Sequence, residues 1–199
     1  MQTWRKALLF LMSFGLIFAG YVEIQNLTSH LSGSEVMTKL DNAIPFIPEF
    51  VWFYTGGFVV VLAVAFLEDR VFNKFLGSFI VSSLICLFIF YMYPNEYVSR
   101  PLLVGDNYTN TLLGLVYKYD GPNNTLPSLH VLYAMLVASA FKHDRTKPWF
   151  VEMLVWIVCL LVAISTLFVK QHCIVDVLAS VAIAFFSNHI VYRRNELGT

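Results

Sequence analysis

Charged residues are scarce in this 199-residue sequence, and the charges that are present cancel. Only 13% of the residues are Asp, Glu, Lys or Arg, about half of the roughly 25% found in soluble domains, and the formal net charge is zero. Hydrophobic residues make up 58% of the chain and its mean hydropathy is +0.67, so a lipid bilayer must be part of its solvent. Without an excess of basic residues, the composition gives no support to nucleic-acid binding.

Cysteines are few and have no paired spacing. Cys86 and Cys159 lie inside apolar runs, where a free thiol behaves as a small hydrophobe, and Cys173 stands apart from both. This pattern favours neither a disulfide framework nor a zinc site. We therefore expect no metal and no cofactor.

Six apolar stretches are candidates to cross a membrane, which takes ~20 residues of helix. They lie near residues 8–22, 50–67, 75–93, 126–141, 148–169 and 174–192. The first and fourth are shorter than the others, so they require helix tilt or local bilayer thinning. No repeat or linker divides the chain. The sequence therefore predicts one all-α integral membrane domain over residues 1–199, built as a bundle of six transmembrane helices.

The distribution of Lys and Arg predicts how this bundle is oriented. With a cytoplasmic N-terminus, nine basic residues face the cytoplasm and four face outward. The nine are Arg5, Lys6, Arg70, Lys74, Lys142, Arg145, Lys147, Arg193 and Arg194, and the four are Lys39, Arg100, Lys118 and Lys170. Both termini are therefore predicted to be cytoplasmic, in a multi-pass protein of the cell membrane. The first stretch also allows a signal peptide, although Ala19-Gly20-Tyr21 is a poor cleavage site.

Two long loops, 23–49 and 94–125, fall on the predicted outer side. The second contains an apolar patch at 112–117 that is too short to span a bilayer. This patch either lies at the membrane interface, where it lines a lipid entrance, or forms a packed loop helix.

Polar residues from three separate segments gather at the predicted outer face. They are Arg100 after the third stretch, Ser128 and His130 at the start of the fourth, and Lys170, His172 and Asp176 between the fifth and sixth. Each residue alone is typical of a membrane interface, whereas their joint placement indicates a functional site.

His172 and Asp176 give the strongest local signal. A spacing of four residues places two side chains on one face of a helix, so the carboxylate can accept the imidazole Nδ1–H. That hydrogen bond fixes the tautomer and leaves Nε2 free to attack phosphorus as a nucleophile.

The other polar residues fit the remaining parts of an in-line phosphoryl transfer. His130 can protonate the leaving oxygen from the opposite side of phosphorus. Pro127 suits the first turn of a helix, whose free N–H groups near Ser128 face an anion. Arg100 and Lys170 supply positive charge for the phosphate oxygens.

These motifs resemble the type 2 phosphatidic acid phosphatase superfamily, whose signatures are K-x6-R-P, P-S-x-H and S-R-x5-H-x3-D. The second signature is complete at residues 127–130. The third keeps Ser165, His172 and Asp176, and the first survives as Arg100-Pro101. The motifs cover residues 93–176.

Two positions depart from these signatures. Tyr93 stands where the first signature has lysine, and Thr166 where the third has arginine. Both changes remove a cation from the phosphate pocket, and Lys170 is a candidate replacement. The pattern is closer to the branch of inositol-phosphorylceramide and sphingomyelin synthases, in which the third motif is reduced to H-x3-D.

The resemblance implies a metal-independent lipid-phosphate phosphatase that acts at the extracytoplasmic face. Its nucleophile is His172, which forms a phosphohistidine, with Asp176 as orienting partner and His130 as acid. Arg100 and Ser128 contact the phosphate. The substrate is a phosphomonoester or pyrophosphate of a lipid, such as phosphatidate, phosphatidylglycerophosphate, undecaprenyl pyrophosphate or a sphingolipid-like compound.

Three alternatives remain open. The same phosphohistidine allows transfer of a lipid head group to a second alcohol. His130 and His172 can also be axial ligands of a haem in a membrane protein of another class. Finally, the missing lysine and arginine fit a catalytically inactive relative that serves as a transporter or scaffold.

Overall fold

The computed structural model describes residues 1–31, 34–97 and 100–193, and its regular structure is almost entirely helical. Within these residues the α-helices are α1 (Thr3–Thr28), α2 (Lys39–Ala43), α3 (Val51–Leu62), α4 (Asp69–Met92), α5 (Tyr108–Tyr119), α6 (Leu129–His143), α7 (Trp149–Phe168) and α8 (Ile174–Arg193). The predicted all-α fold is confirmed. Arg194, one of the predicted cytoplasmic basic residues, lies outside the described residues, as does the end of the predicted domain.

Shorter elements join these helices. The 3-10 turns Pro48–Phe50 and Ala63–Phe66 extend α3 at both ends. The two-residue strands β1 (Ser34–Glu35) and β2 (Asn95–Glu96) pair in parallel. They join the α1–α2 connection to the start of the α4–α5 connection.

Five helices of the described chain have the length and composition to cross a membrane. They are Thr3–Thr28, Pro48–Phe66, Asp69–Met92, Trp149–Phe168 and Ile174–Tyr192. They correspond to five of the six predicted stretches and indicate a multi-pass membrane protein. Large apolar side chains on their outer faces, such as Leu16 and Phe185, are about three-quarters exposed, as expected for contact with lipid.

Helix α6 corresponds to the fourth predicted stretch and is too short to be counted with these five. Its 15 residues extend about 22 Å at 1.5 Å per residue, less than the ~30 Å of a hydrocarbon core. It is the central helix, packed against α3, α4, α7 and α8, and most of its side chains are buried. Because protein surrounds α6, its length is not set by the bilayer. Six spans and cytoplasmic termini therefore remain predictions.

Aromatic rings hold α1 against the bundle. The ring of Phe10 lies 5.9 Å from that of Phe75 and 5.3 Å from that of Phe79, and Tyr133 of α6 lies 4.9 Å from Phe79. Apolar burial gives little driving force between helices in lipid, so close packing of such rings is what stabilises the contact. This packing fixes α1 as a wall beside α6.

Asp144 joins two connections at the end of α6 that is remote from His130. Its carboxylate accepts hydrogen bonds from the N–H of Glu68 at 2.8 Å, and from the N–H and hydroxyl of Thr146 at 3.0 and 2.6 Å. Burial opposes ionisation of Asp144, but these hydrogen bonds outweigh it and hold the pKa of the carboxyl below its usual value. The α3–α4 and α6–α7 connections therefore meet on one ionised side chain.

Replacing Asp144 with alanine should lower the free energy of unfolding by about 2 kcal/mol, because three donors lose their acceptor. Since folding lowers the pKa of Asp144, its contribution is fully present above the ordinary aspartate pKa of about 3.9. It is lost as the pH falls through the lower folded-state pKa. Thermal unfolding in detergent at neutral and acidic pH measures both effects, with the exposed Asp106→Ala as matched control. A deficit that stayed constant down to the acid limit would contradict the assignment.

Candidate active site

Helices α6 and α8 begin at the same end of the bundle, close to His130 and His172. This end is called the histidine end. Ser128 caps α6 by accepting the N–H of Val131 at 3.4 Å, and Pro127 follows a cis peptide bond. The hydroxyl of Ser180 on α8 donates to the carbonyls of Ser128 and Asp176, at 2.8 and 2.6 Å. The starts of the two helices are therefore fixed to each other.

His172 lies two residues before α8, and its Nδ1 has two oxygen neighbours. The carbonyl of Thr125 is at 2.9 Å and Oδ2 of Asp176 is at 3.3 Å. The predicted contact with Asp176 is present, although the ring precedes the helix instead of lying on it. A proton on Nδ1 can be shared by both acceptors, and Nε2 is then the nitrogen that is free to react.

The carbonyl of Thr125 is held by Asn95. The amide of Asn95 donates to the Thr125 hydroxyl at 2.7 Å, and its side-chain oxygen accepts the N–H of Leu126 at 3.2 Å. Asn124 adopts a left-handed backbone with φ of 57°, and its N–H donates to the Asn95 carbonyl at 2.8 Å. One buried asparagine therefore sets the direction of the carbonyl that faces His172.

Asp176 is fully buried in the first turn of α8. Besides His172, its Oδ2 accepts the backbone N–H of Cys173 at 2.9 Å, and the Cys173 thiol donates to Oδ1 at 3.2 Å. These bonds fix the carboxylate in place. Burial raises the pKa of the Cys173 thiol to about 12, so this cysteine stays protonated.

His130, in the first turn of α6, lies beside His172. The two ring centroids are 6.3 Å apart. His130 stacks on Tyr54 at 4.0 Å and meets the edge of Phe58 at 5.1 Å. Its Nε2 is buried without a hydrogen-bond partner among the described residues. An orphaned nitrogen of this kind needs a partner, and a bound substrate can provide one.

Both histidines line one cavity of about 370 Å³. Its lining includes the polar residues Asp120, Asn123, Asn124, Thr125 and Gln171. The rest of the wall is mostly apolar, and α1 and α3 contribute Phe14, Ile17, Phe18, Phe58, Val60 and Val61 to it. Phe18 and Phe58 are each about half exposed on the outer surface of the bundle. The cavity therefore runs from the histidines to the lipid-facing surface between α1 and α3.

Arg100 contacts the backbone that forms the polar wall. Its guanidinium donates to the carbonyls of Tyr117 at 2.9 Å, Asp120 at 2.7 Å and Gly121 at 2.8 Å, and lies 4.8 Å from the Tyr117 ring. Burial lowers the pKa of Arg100, while nearby Asp120 opposes the shift. The side chain supports the loop after α5 from outside the cavity lining described here.

Lys170 is also bound to backbone. Its ammonium donates to the carbonyls of Asp41 and Ile44, at 3.0 and 2.6 Å. The Asp41 carboxylate in turn accepts the N–H of Ile174 at 2.7 Å. These contacts hold α2 over the α7–α8 connection, and they leave Lys170 on a different side from the cavity lining described here.

The positions that depart from the motifs supply no cation. Tyr93 directly follows α4 and is 45% exposed. Thr166 is buried, and its hydroxyl donates a hydrogen bond to the carbonyl of Ala163 at 2.8 Å. Ser128 is buried, and its hydroxyl oxygen accepts the N–H of Val131 in the first turn of α6. Phosphate contacts by Arg100, Ser128 and Lys170 therefore remain predictions, and each requires a side chain to leave the partners it has here.

Sequence reasoning missed Asp120, Tyr54 and Gln171. Asp120 ends α5 and its carboxylate accepts from the phenol of Tyr54 and the amide of Gln171. No motif signals them, because Tyr54 lies within an apolar stretch and Asp120 precedes a turn. The apolar patch at 112–117 belongs to α5, whose Leu113 packs in a buried cluster with Val51. Leu115 and Val116 of the same patch line the cavity, so the patch is a packed loop helix that also contributes to the cavity wall.

A family model described as the PAP2 superfamily matches residues 49–190, which include both histidines, Asp176 and Arg100. The match covers well over half of the chain, from the turn before α3 almost to the end of α8. No curated protein matches the chain.

Proposed function

The chain belongs to the PAP2 superfamily, and we propose that it cleaves a phosphate ester of a membrane lipid by way of a phosphohistidine on His172. One observation carries the proposal. The imidazole of His130 on α6 and that of His172, just before α8, have ring centroids 6.3 Å apart in a shared cavity, and the His172 ring is held through Nδ1.

The reaction follows from what each ring can do. Nε2 of His172 bonds to phosphorus as the bond from phosphorus to the leaving oxygen breaks, and that oxygen takes a proton from His130. A water molecule then gives a proton to His130 and attacks phosphorus. The P–N bond breaks, phosphate is released and both histidines return to their starting states.

The shape of the cavity supports a lipid as the substrate. A head group fits the polar wall near His130 and His172, and an acyl or prenyl chain fits the apolar wall between α1 and α3. A chain placed there extends to the lipid-facing surface near Phe18 and Phe58. Such a substrate reaches the histidines without leaving the bilayer.

Transfer of the head group to a second alcohol is the other candidate. It differs from hydrolysis of a phosphomonoester in the acceptor that attacks the phosphohistidine and in its donor lipid, a phosphodiester that brings one negative charge. The missing motif cations favour it, because Tyr93 and Thr166 leave the described cavity wall without the charges that a phosphomonoester dianion needs.

A panel of lipids incubated with the purified protein tests both candidates. Free phosphate and exchanged head group are measured together, because release of phosphate indicates hydrolysis and exchange indicates transfer. Added to sealed vesicles from one side, the same substrates test the proposed extracytoplasmic face. Labelling of single cysteines placed at each terminus and in each connection tests the six-span topology with cytoplasmic termini. Absence of both products across the panel would refute the proposed function.

Replacing Asp176 with asparagine should lower kcat about 100-fold. The variant loses the negative charge that stabilises the His172 ring when phosphorus bonds to it. In a serine protease, the same change beside the catalytic histidine leaves that histidine in the wrong tautomer and lowers kcat ~10⁴-fold. The loss should be smaller here, because the Thr125 carbonyl still accepts the Nδ1–H of His172. Asp106→Asn is the matched control, and thermal unfolding checks the fold. A loss of ~10⁴-fold or more would show that Thr125 does not hold the ring.

Two further measurements test the remaining alternatives. A haem bound between His130 and His172 would give a Soret band in the visible spectrum of the purified protein. A scaffold or transporter would keep its cellular function after His172→Ala, whereas an enzyme would lose it.

A further inference from the structure

Asp120 is a carboxylate in the cavity that the proposed mechanism does not use. It accepts hydrogen bonds from the phenols of Tyr54 and Tyr21, the latter at 3.4 Å, and from the amide of Gln171 at 3.5 Å. Tyr54 and Gln171 are both buried. Donors from α3, α1 and the α7–α8 connection therefore converge on one side chain.

The position of Asp120 is also fixed through its backbone. Arg100 donates to the carbonyls of Asp120 and Gly121, at 2.7 and 2.8 Å. The N–H of Asp120 closes the last turn of α5 on the carbonyl of Val116 at 2.8 Å. A carboxylate held from both sides in this way is pre-organised to contact a ligand.

Asp120 lies beside the reacting groups. Tyr54, which donates to its carboxylate, stacks directly on the His130 ring at 4.0 Å. His172 lines the same cavity, and Gln171 immediately before it donates to Asp120. A phosphorus atom between the two imidazoles therefore has this carboxylate close by.

The charge of Asp120 discriminates between substrates. It is the only Asp, Glu, Lys or Arg among the described residues that line the cavity. A phosphomonoester brings up to two negative charges into this space and a phosphodiester brings one. Like charges in a partly desolvated site repel strongly, so the carboxylate works against a monoester.

The carboxylate also has capacity for another hydrogen bond. An ionised aspartate has about four acceptor positions, and Tyr54 and Gln171 both donate to Oδ2. Among the described residues, Oδ1 has only the long hydrogen bond from Tyr21 at 3.4 Å. A hydroxyl or ammonium group of a ligand can donate to it.

We infer that the substrate is a lipid phosphodiester whose head group carries hydroxyl or ammonium donors, and that Asp120 is the residue that selects it. The inference rests on the proposed function and specifies its substrate class. It adds no chemical step, because Asp120 binds the head group while His172 and His130 act on phosphorus.

The test compares wild type with Asp120→Asn on four lipids in the same detergent. Phosphatidate is the monoester, phosphatidylethanolamine offers ammonium donors, phosphatidylinositol offers hydroxyl donors, and phosphatidylcholine offers positive charge without a donor. Release of diacylglycerol is a common readout for all four. Asp106→Asn is the matched control, and thermal unfolding checks each variant.

Wild type should use the ethanolamine or inositol lipid with kcat/KM at least ~10-fold above that for phosphatidate and phosphatidylcholine. Asp120→Asn should lower kcat/KM for the preferred lipid ~10- to 100-fold, the effect of one charge-assisted hydrogen bond, and raise kcat/KM for phosphatidate, because the repelling charge is gone. If Asp120→Asn does not fold, Asp120→Glu keeps the charge and should still discriminate against phosphatidate.

Several outcomes would overturn the inference while leaving the proposed function intact. They are a wild-type preference for phosphatidate or phosphatidylcholine, an equal loss on all four lipids in Asp120→Asn, and use of phosphatidate as the best substrate by Asp120→Glu. Diacylglycerol release from none of the four lipids would also overturn the inference, whereas release that survives His172→Ala would instead refute the proposed function.

Discussion

Replacing His172 with alanine should lower kcat at least ~10³-fold and abolish the covalent intermediate. The variant has no nitrogen at the position from which phosphorus is attacked, and removal of a nucleophile leaves only the catalysis that binding provides. The measurement is turnover of the best lipid from the panel. It is combined with acid quenching and alkaline quenching of labelled enzyme, because a phosphohistidine survives alkali and is lost in acid.

The matched control for this variant is His30→Ala, which removes an exposed histidine just beyond the end of α1. It should retain wild-type turnover and labelling. His172→Ala should also keep its thermal unfolding midpoint near that of wild type, since within the described residues the ring hydrogen-bonds only through Nδ1, with Thr125 and Asp176. Alkali-stable label in the alanine variant would show that another residue carries the phosphoryl group.

Replacing His130 with glutamine should lower kcat/KM for a lipid ester by ~10²- to 10⁴-fold, the range that general acid catalysis contributes. Glutamine keeps a polar side chain against Tyr54 but cannot transfer a proton. The informative comparison is with a p-nitrophenyl phosphate ester, whose leaving group needs no protonation. With that substrate the rate of phosphoryl transfer to His172 should fall less than about tenfold, so the size of the defect depends on the leaving group.

The second step should then become limiting. Because His130 also activates water, the glutamine variant should accumulate phosphohistidine from the p-nitrophenyl ester and show a burst of p-nitrophenol. Equal losses on both substrates, without a burst, would mean that His130 positions the substrate and does not transfer a proton. His30→Gln is the control, since it makes the same change at an exposed site.

The sequence predicted the parts of this molecule that depend on hydropathy and on local spacing. Long apolar stretches became the five long helices, and the P-S-x-H and H-x3-D motifs placed His130, His172 and Asp176 at one end of the bundle. Hydropathy is less informative for α6, because a helix enclosed by protein has no need to match the bilayer. Its 15 residues therefore leave the predicted count of six spans untested.

The contacts of Arg100 and Lys170 could not be predicted from the sequence. Arg100 and Lys170 have the charge that a phosphate needs, yet both donate to backbone carbonyls whose position depends on the fold of distant loops. Asp120 gave no signal in the sequence, because each residue that donates to its carboxylate lies 51 to 99 positions away from it in the chain. Tertiary placement, not residue type, decides which charges face the cavity.

The Thr125 carbonyl that faces His172 belongs to the main chain, so no substitution at position 125 deletes it. Mutations at the residues that set the conformation of this turn should therefore affect His172 more than mutations at Thr125 itself. Asn95 binds this turn from the α4–α5 connection, and Asn124 supplies its left-handed backbone. A saturation survey would record these two asparagines as intolerant, although the hydrogen bonds described for the ring are with Thr125 and Asp176.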